Sequence, residues 1–134
     1  MGYLSDIVIA VAFDTREQME EVLAVYRIDP RVQKHDIMKS WKLCLDGIPP
    51  YMVYAQTNVK WYYTNEAVAA VEHIINVCEQ FGLAREFDYL YRIVRIGEDQ
   101  SDITVKESGN DPGHYLSDFL NDNLRLARRI KCTL

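Results

Sequence analysis

The first hydrophobic cluster along the chain is the unbroken run Ile7-Val8-Ile9-Ala10-Val11-Ala12-Phe13, which predicts a buried strand. Thr15-Arg16-Glu17-Gln18 follows with the spacing of a capping box, a Thr hydroxyl and a Gln side chain placed to satisfy amides at a helix start. Met19, Val22, Leu23 and Tyr26 then recur at helical spacing, with Glu17, Glu20 and Glu21 mainly off that stripe, so the spacing predicts a surface helix lying on a sheet. Asp29-Pro30 ends it and suits a short extra turn through Gln33. The period changes next. Ile37, Trp41, Leu43 and Leu45 share one parity and Val53, Ala55, Val59 and Trp61 another, with Asp46-Gly47 and Pro49-Pro50 between them, a pattern of two strands joined by a longer loop.

From Thr64 the spacing is helical again, with Val68, Val71, Ile74, Ile75, Cys78 and Phe81 on one side and Gly82 placed as a C-terminal cap. Phe87 to Ile96 is rich in aromatic and β-branched residues and predicts a strand. A polar turn, Gly97 to Asp102, leads into a second strand, Ile103 to Glu107, paired with it as a hairpin. Asn110-Asp111-Pro112-Gly113 is a loop, and His114 to Phe119 a short helix. Over residues 123–132, Leu124, Leu126, Ile130 and Cys132 alternate as in a strand, while Leu120, Leu124, Ala127 and Leu134 also fit a helix stripe; the strand reading is preferred.

The order β-α-β-β-α-β is that of a ferredoxin-like, split β-α-β antiparallel sheet, an α+β fold with two main helices on one face and extra C-terminal strands. No repeat, low-complexity tract or linker divides residues 1–134, so a single domain is expected. The opposite sheet face has no evident cover, and is solvated, capped by the C-terminal segment, or pressed against another protein.

Composition narrows the classes. With 134 residues, 49% hydrophobic and 26% charged, the chain has the length and make-up of one ordinary globular domain. The opening run is too short to span a bilayer and lacks a signal peptide's flanks, so no membrane association is expected. Cys44, Cys78 and Cys132 are odd in number and widely spaced, which fits reduced thiols in a cytoplasm, with no disulfide framework and no zinc knuckle. A net charge of -5 disfavours direct nucleic-acid binding. Arg125, Arg128, Arg129 and Lys131 nonetheless make the C-terminus basic.

Chemistry-bearing motifs are absent. His73 follows Glu72 within a helical stretch, without the H-E-x-x-H pattern, and reads as solvated. His35 and His114 lie in loops. Neither G-x-S-x-G nor a cysteine-protease signature occurs, and the turn Phe13-Asp14-Thr15 has no glycine for a phosphate cradle. Glu98, Asp99 and Asp102 are spaced closely enough to attract a hard cation, but not in EF-hand order, so a solvated hairpin turn accounts for them and no cofactor is expected.

Placement of aromatic and basic residues carries more. Tyr54 and Tyr62 fall on the parity opposite the Val53 set, where they would occupy the uncovered face; exposed tyrosines are enriched in protein interfaces. Trp61 adjoins them. Arg92 and Arg95 precede the acidic turn, either paired with its carboxylates or presented to a partner. Candidate partner-binding residues are therefore Tyr54, Trp61, Tyr62, Arg92, Arg95, Glu98, Asp99 and Asp102. As an alternative, Arg92, Arg95 and the C-terminal arginines would hold the phosphates of a small anionic ligand such as a nucleotide signal. A metal-dependent hydrolase using Glu98, Asp99 and Asp102 is a third reading.

Val59-Lys60-Trp61-Tyr62 ahead of a helix, and Arg95-Ile96-Gly97-Glu98-Asp99 with Asp102-Ile103 after a strand, resemble stretches of small uncharacterised accessory proteins of tailed bacteriophages. The resemblance spans mainly the second half of the chain and brings no catalytic residues. It implies a protein acting stoichiometrically in a bacterial cytoplasm by binding and inhibiting a host or antiviral-defence protein. The uncovered face and the Gly97-to-Asp102 loop are the expected surface, and a homodimer through the same face is a further expectation.

Overall fold

A computed structural model describes residues 4–62, 64–99 except 86, 101–126 and 130–134. The described residues form a mixed α+β structure with a five-stranded antiparallel sheet and four helices. Strand β1 (Ser5–Phe13) lies at the centre, hydrogen-bonded to β3 (Tyr51–Val59) on one side and β4 (Tyr89–Gly97) on the other, both antiparallel. Beyond them lie β2 (Trp41–Cys44), paired with β3, and β5 (Ile103–Asn110), paired with β4, giving the order β2-β3-β1-β4-β5. Since β1 and β2 both oppose β3, they run the same way with an antiparallel strand between them.

Helices α1 (Arg16–Arg27) and α3 (Glu66–Arg85) cover one face, joined at their edge by the five-residue α2 (Pro30–Lys34). Thr15 caps α1 by accepting from the Gln18 amide at 3.2 Å, as its spacing predicts, but the Gln18 Oε1 atom is buried without a hydrogen-bond partner, so the return half of the capping box is not made. Asp29 caps α2 in the same manner, through the Arg31 and Val32 amides. The core between this layer and the sheet runs from Ile7, Ile9 and Val11 to Met19, Leu23, Val71, Ile74 and Cys78. Tyr26 knits it together. Its hydroxyl donates to the Ala70 carbonyl at 2.9 Å and accepts from the Trp41 indole at 3.2 Å, so a buried phenol is left with no unmet polar atom.

Three expectations are corrected. Gly82 does not end α3, which continues to Arg85; a Cβ there would lie 3.0 Å from the Tyr89 ring, so glycine serves close packing against β4. Val53, Ala55, Val59 and Trp61 do not share a face. Asn58 adopts a left-handed backbone with φ of 54°, its amide held by Asp6 at 3.0 Å, and the β1–β3 register slips there. This bulge moves the side chains after it to the other face. Met52, Tyr54, Val59 and Trp61 therefore face α1 and α3, while Val53 belongs to the opposite layer.

The third correction concerns that opposite face, which is covered within the chain. Helix α4 (Tyr115–Asn123) sets Leu116 and Leu120 against Val8, Ala10, Val53, Leu90 and Val94. Two short strands, β6 (Leu124–Leu126) and β7 (Ile130–Cys132), pair with each other and continue the cover; the preferred strand reading of residues 123–132 holds for these two segments, while residues 127–129 lie outside the described residues. Asp111 fastens α4 by accepting from the Leu116 and Ser117 amides, and the Tyr51 and Phe119 rings meet at 5.4 Å across the layer. Among the described residues no helix is long and apolar enough to cross a membrane.

Since this second layer is true core, Leu120→Ala is expected to lower stability by about 2–4 kcal/mol, as much as Leu23→Ala beneath α1. Urea unfolding measures both, and a near-neutral Leu120→Ala would mean that α4 does not pack as described.

Candidate functional site

The turn between β4 and β5 is held by its own charges. Arg95 makes a forked contact with Asp102, at 2.7 and 3.2 Å, and reaches Ser5 Oγ and Thr104 Oγ1. Glu98 Oε1 accepts from the Leu4 amide at 2.8 Å. Asp99 accepts from the Ser101 amide and hydroxyl, which hold its carboxyl below the usual range. The three carboxylates thus point to three separate partners, and among the described residues no group of histidine, cysteine and acidic side chains is arranged to hold a metal ion.

Arg92 has a different setting. It is 8% exposed, donates through Nε to Glu107 Oε2 at 2.6 Å and through an Nη to Asn121 Oδ1 at 2.7 Å, and so ties β4 to β5 and α4. Arg92 and Arg95 are three residues apart on one strand and project to opposite faces, which separates the two cations that an anionic ligand would need together. Arg128 and Arg129 lie outside the described residues, as does the Arg125 side chain.

The aromatic candidates separate in the same way. Tyr54 is no surface residue: it is 9% exposed beneath α1 and α3, with ring centroids 5.6 Å from Trp41 and 5.7 Å from Trp61. Tyr54 pairs with Ile9 in the unbroken part of the β1–β3 ladder and so shares the face of Ile9 and Met52 beneath the helices, which is the physical reason for its burial. Trp61 is half-buried against that cluster and its indole hydrogen-bonds Glu72, while Tyr62, beyond the strand's end, is 40% exposed. Tyr54 and Tyr62 therefore do not form one open face.

The margin of the sheet past α3 is accessible. A groove of about 460 Å³ runs between α3 and the β4–β5 pair, walled by Glu72, His73, Asn76 and Glu79 and floored by Ile93, Arg95, Thr104 and Lys106. Burial raises the Glu72 carboxyl above its ordinary range, against the opposing pull of Trp61 and Lys106. His73, expected in solvent, instead stacks on Tyr26 with centroids 6.4 Å apart and approaches Asp29 Oδ2 at 3.3 Å. This pair joins residues 44 positions apart, and no local signal announces it.

Strand β5 bounds the groove. All eight of its residues are exposed, and it ends the sheet. The Gly97 amide donates to the Asp102 carbonyl at 2.9 Å, so by the alternation of an antiparallel ladder the backbone groups of Val105 and Glu107 and the Ile103 carbonyl point away from β4, while the Ile103 amide donates to the Ser101 carbonyl at 3.1 Å. On the α4 side Ile103 and Val105 are 43% and 55% exposed, past the reach of that helix. An edge with outward amides and a flanking apolar strip is chemically fitted to accept another strand.

Searches of protein families, of curated proteins and of solved structures find no match to this chain.

The two arginines are expected to differ in energetic role. Arg92→Ala, which strands Glu107 and Asn121, should cost about 2 kcal/mol in urea unfolding at neutral pH. Arg95→Ala, at the wetter end of the strand, should cost under about 1 kcal/mol. Equal losses would contradict the assignment of Arg92 as the inter-layer tie.

Proposed function

We propose that this chain is a stoichiometric protein-binding module that engages its partner by strand addition at the β5 edge, with the Gly97-to-Asp102 turn as a rigid flank. The observation that carries this reading is an end strand of eight exposed residues whose outward backbone groups lie beside Ile103 and Val105. Main-chain pairing supplies affinity in such contacts, and alternate side chains supply selectivity. Lys106 on the groove face and the apolar pair on the other give the edge two unlike sides.

The fold fits a ferredoxin-like plan extended by one strand. The order β2-β3-β1-β4, antiparallel throughout, with α1 and α3 in the two crossovers, supports that reading. The resemblance of residues 59–62 and 95–103 to phage accessory proteins bears on the kind of partner: a host or antiviral-defence protein, met in a bacterial cytoplasm and inhibited by occupancy. No step in this function requires chemistry on a bound substrate.

Val105→Pro tests the edge directly, because it removes only an outward amide and leaves the β4 ladder whole. Tagged wild-type protein is expected to retain a bacterial partner from lysate, and Val105→Pro and Ile103→Asp to lose it, with circular dichroism and Tm close to wild type. An unchanged set of retained proteins for both variants would sink the β5 assignment.

A further inference from the structure

We propose that β5 also pairs with β5 of a second copy of this chain, about a two-fold axis at Thr104, joining two five-stranded sheets into one. This rests on the reading of β5 as the interaction edge and names one occupant of it.

The register follows from side-chain chemistry. Antiparallel strands related by a two-fold axis through the sheet keep their faces, so each trial register sets residues of like parity opposite one another. An axis at Lys106 opposes two lysines, and an axis at Glu107 opposes two glutamates, both destabilising. An axis at Val105 sets Ile103 against Glu107. The axis at Thr104 avoids all three. It sets Ile103 opposite Val105 twice, Thr104 opposite Thr104, and Asp102 opposite Lys106 twice.

Each face of the joint is then coherent. On the α4 side, Ile103 and Val105 from each copy form one apolar strip that continues onto Ile96, which faces Ile103 across the β4–β5 ladder. This covers the two residues left 43% and 55% exposed in the single chain. On the groove side, Lys106 of one copy meets the Arg95-bound carboxylate of Asp102 in the other, whose side chain retains 39% exposure. The Ile103 amide is held by the Ser101 carbonyl of its own chain at 3.1 Å, so the pairing uses the outward Val105 amide, which donates to the Ile103 carbonyl of the second copy. Overlap is limited to residues 102–106, because β5 turns back to β4 at Asp102. The pairing is therefore a reversible one that depends on concentration.

Sedimentation equilibrium from micromolar to millimolar protein is the first test, with a monomer–dimer equilibrium expected. Lys106→Glu should weaken it by about tenfold, by turning two attractive pairs into repulsive ones, whereas the same charge change at Lys42 on β2 should leave it unaltered. Thr104 lies at a non-hydrogen-bonded pair, where the two Cβ atoms come closest, so Thr104→Cys should form an interchain disulfide in oxidising buffer faster than wild type or Lys106→Cys. A monomer throughout the range, or faster cross-linking at position 106 than at 104, overturns the proposal. If wild type stays monomeric while Val105→Pro still abolishes partner retention, the dimer fails and the binding edge stands. If Val105→Pro abolishes the dimer but not retention, the dimer stands and the binding edge fails.

Discussion

Strand β1 is hydrogen-bonded along both sides and buried on both faces, and the remaining architecture answers to that. From Ile7 to Phe13 no side chain reaches the solvent to any extent, and they alternate between two separate hydrophobic clusters. A strand of this kind demands a neighbour on each side for its amides and a layer on each face for its side chains. Helices α1 and α3 meet the demand on one face, α4 with the β6–β7 hairpin on the other. The segment from α4 to β7 is thus part of the core.

With layers on both faces, the sheet margins are open to solvent, as is the end of the second face where Ala55 and Thr57 lie beside β7. The two margins are unequal. Strand β2 has four residues and is preceded by a 3-10 turn packed near α3, which leaves little backbone to pair with. Strand β5 is twice as long, and neither α3 nor α4 reaches across it. Natural sheets blunt such edges with charge, and Lys106 and Glu107 are placed accordingly. Glu107, however, is drawn inward by Arg92, and Lys106 leans over a groove whose wall carries Glu72. One of the two charges that would guard the edge is engaged by its own chain, while Ile103 and Val105 stay in water.

Distant pairings lock the helical layer. Tyr26 joins α1 to α3 and to β2, and His73 and Glu66 bind α2 to α3 through Asp29, Lys34 and His35. The short helix α2, too brief to persist alone, is held by these contacts and by Val32 in the core. The groove beside β5 therefore has a firm wall.

Local patterns were enough to locate most elements. The apolar run at 7–13, the Thr15 cap, the stripe from Val68 to Phe81 and the alternation at 124–132 each record a choice made over a few residues, where period and capping chemistry decide the outcome. Face assignment and pairing were not available to the same reasoning. One left-handed residue, Asn58, brought Val59 and Trp61 to the face of Tyr54, because parity is preserved only along an unbroken ladder. Arg92 and Arg95 look alike in sequence, yet one ties two layers and the other braces a turn. Whether the second face stayed open was settled by where α4 and the last hairpin docked, which depends on contacts with β1, β3 and β4, all distant in sequence. Sequence alone determined which segments form helices and strands. Tertiary packing decided which side chains remain for a partner, since exposure is what is left after every distant surface has been covered.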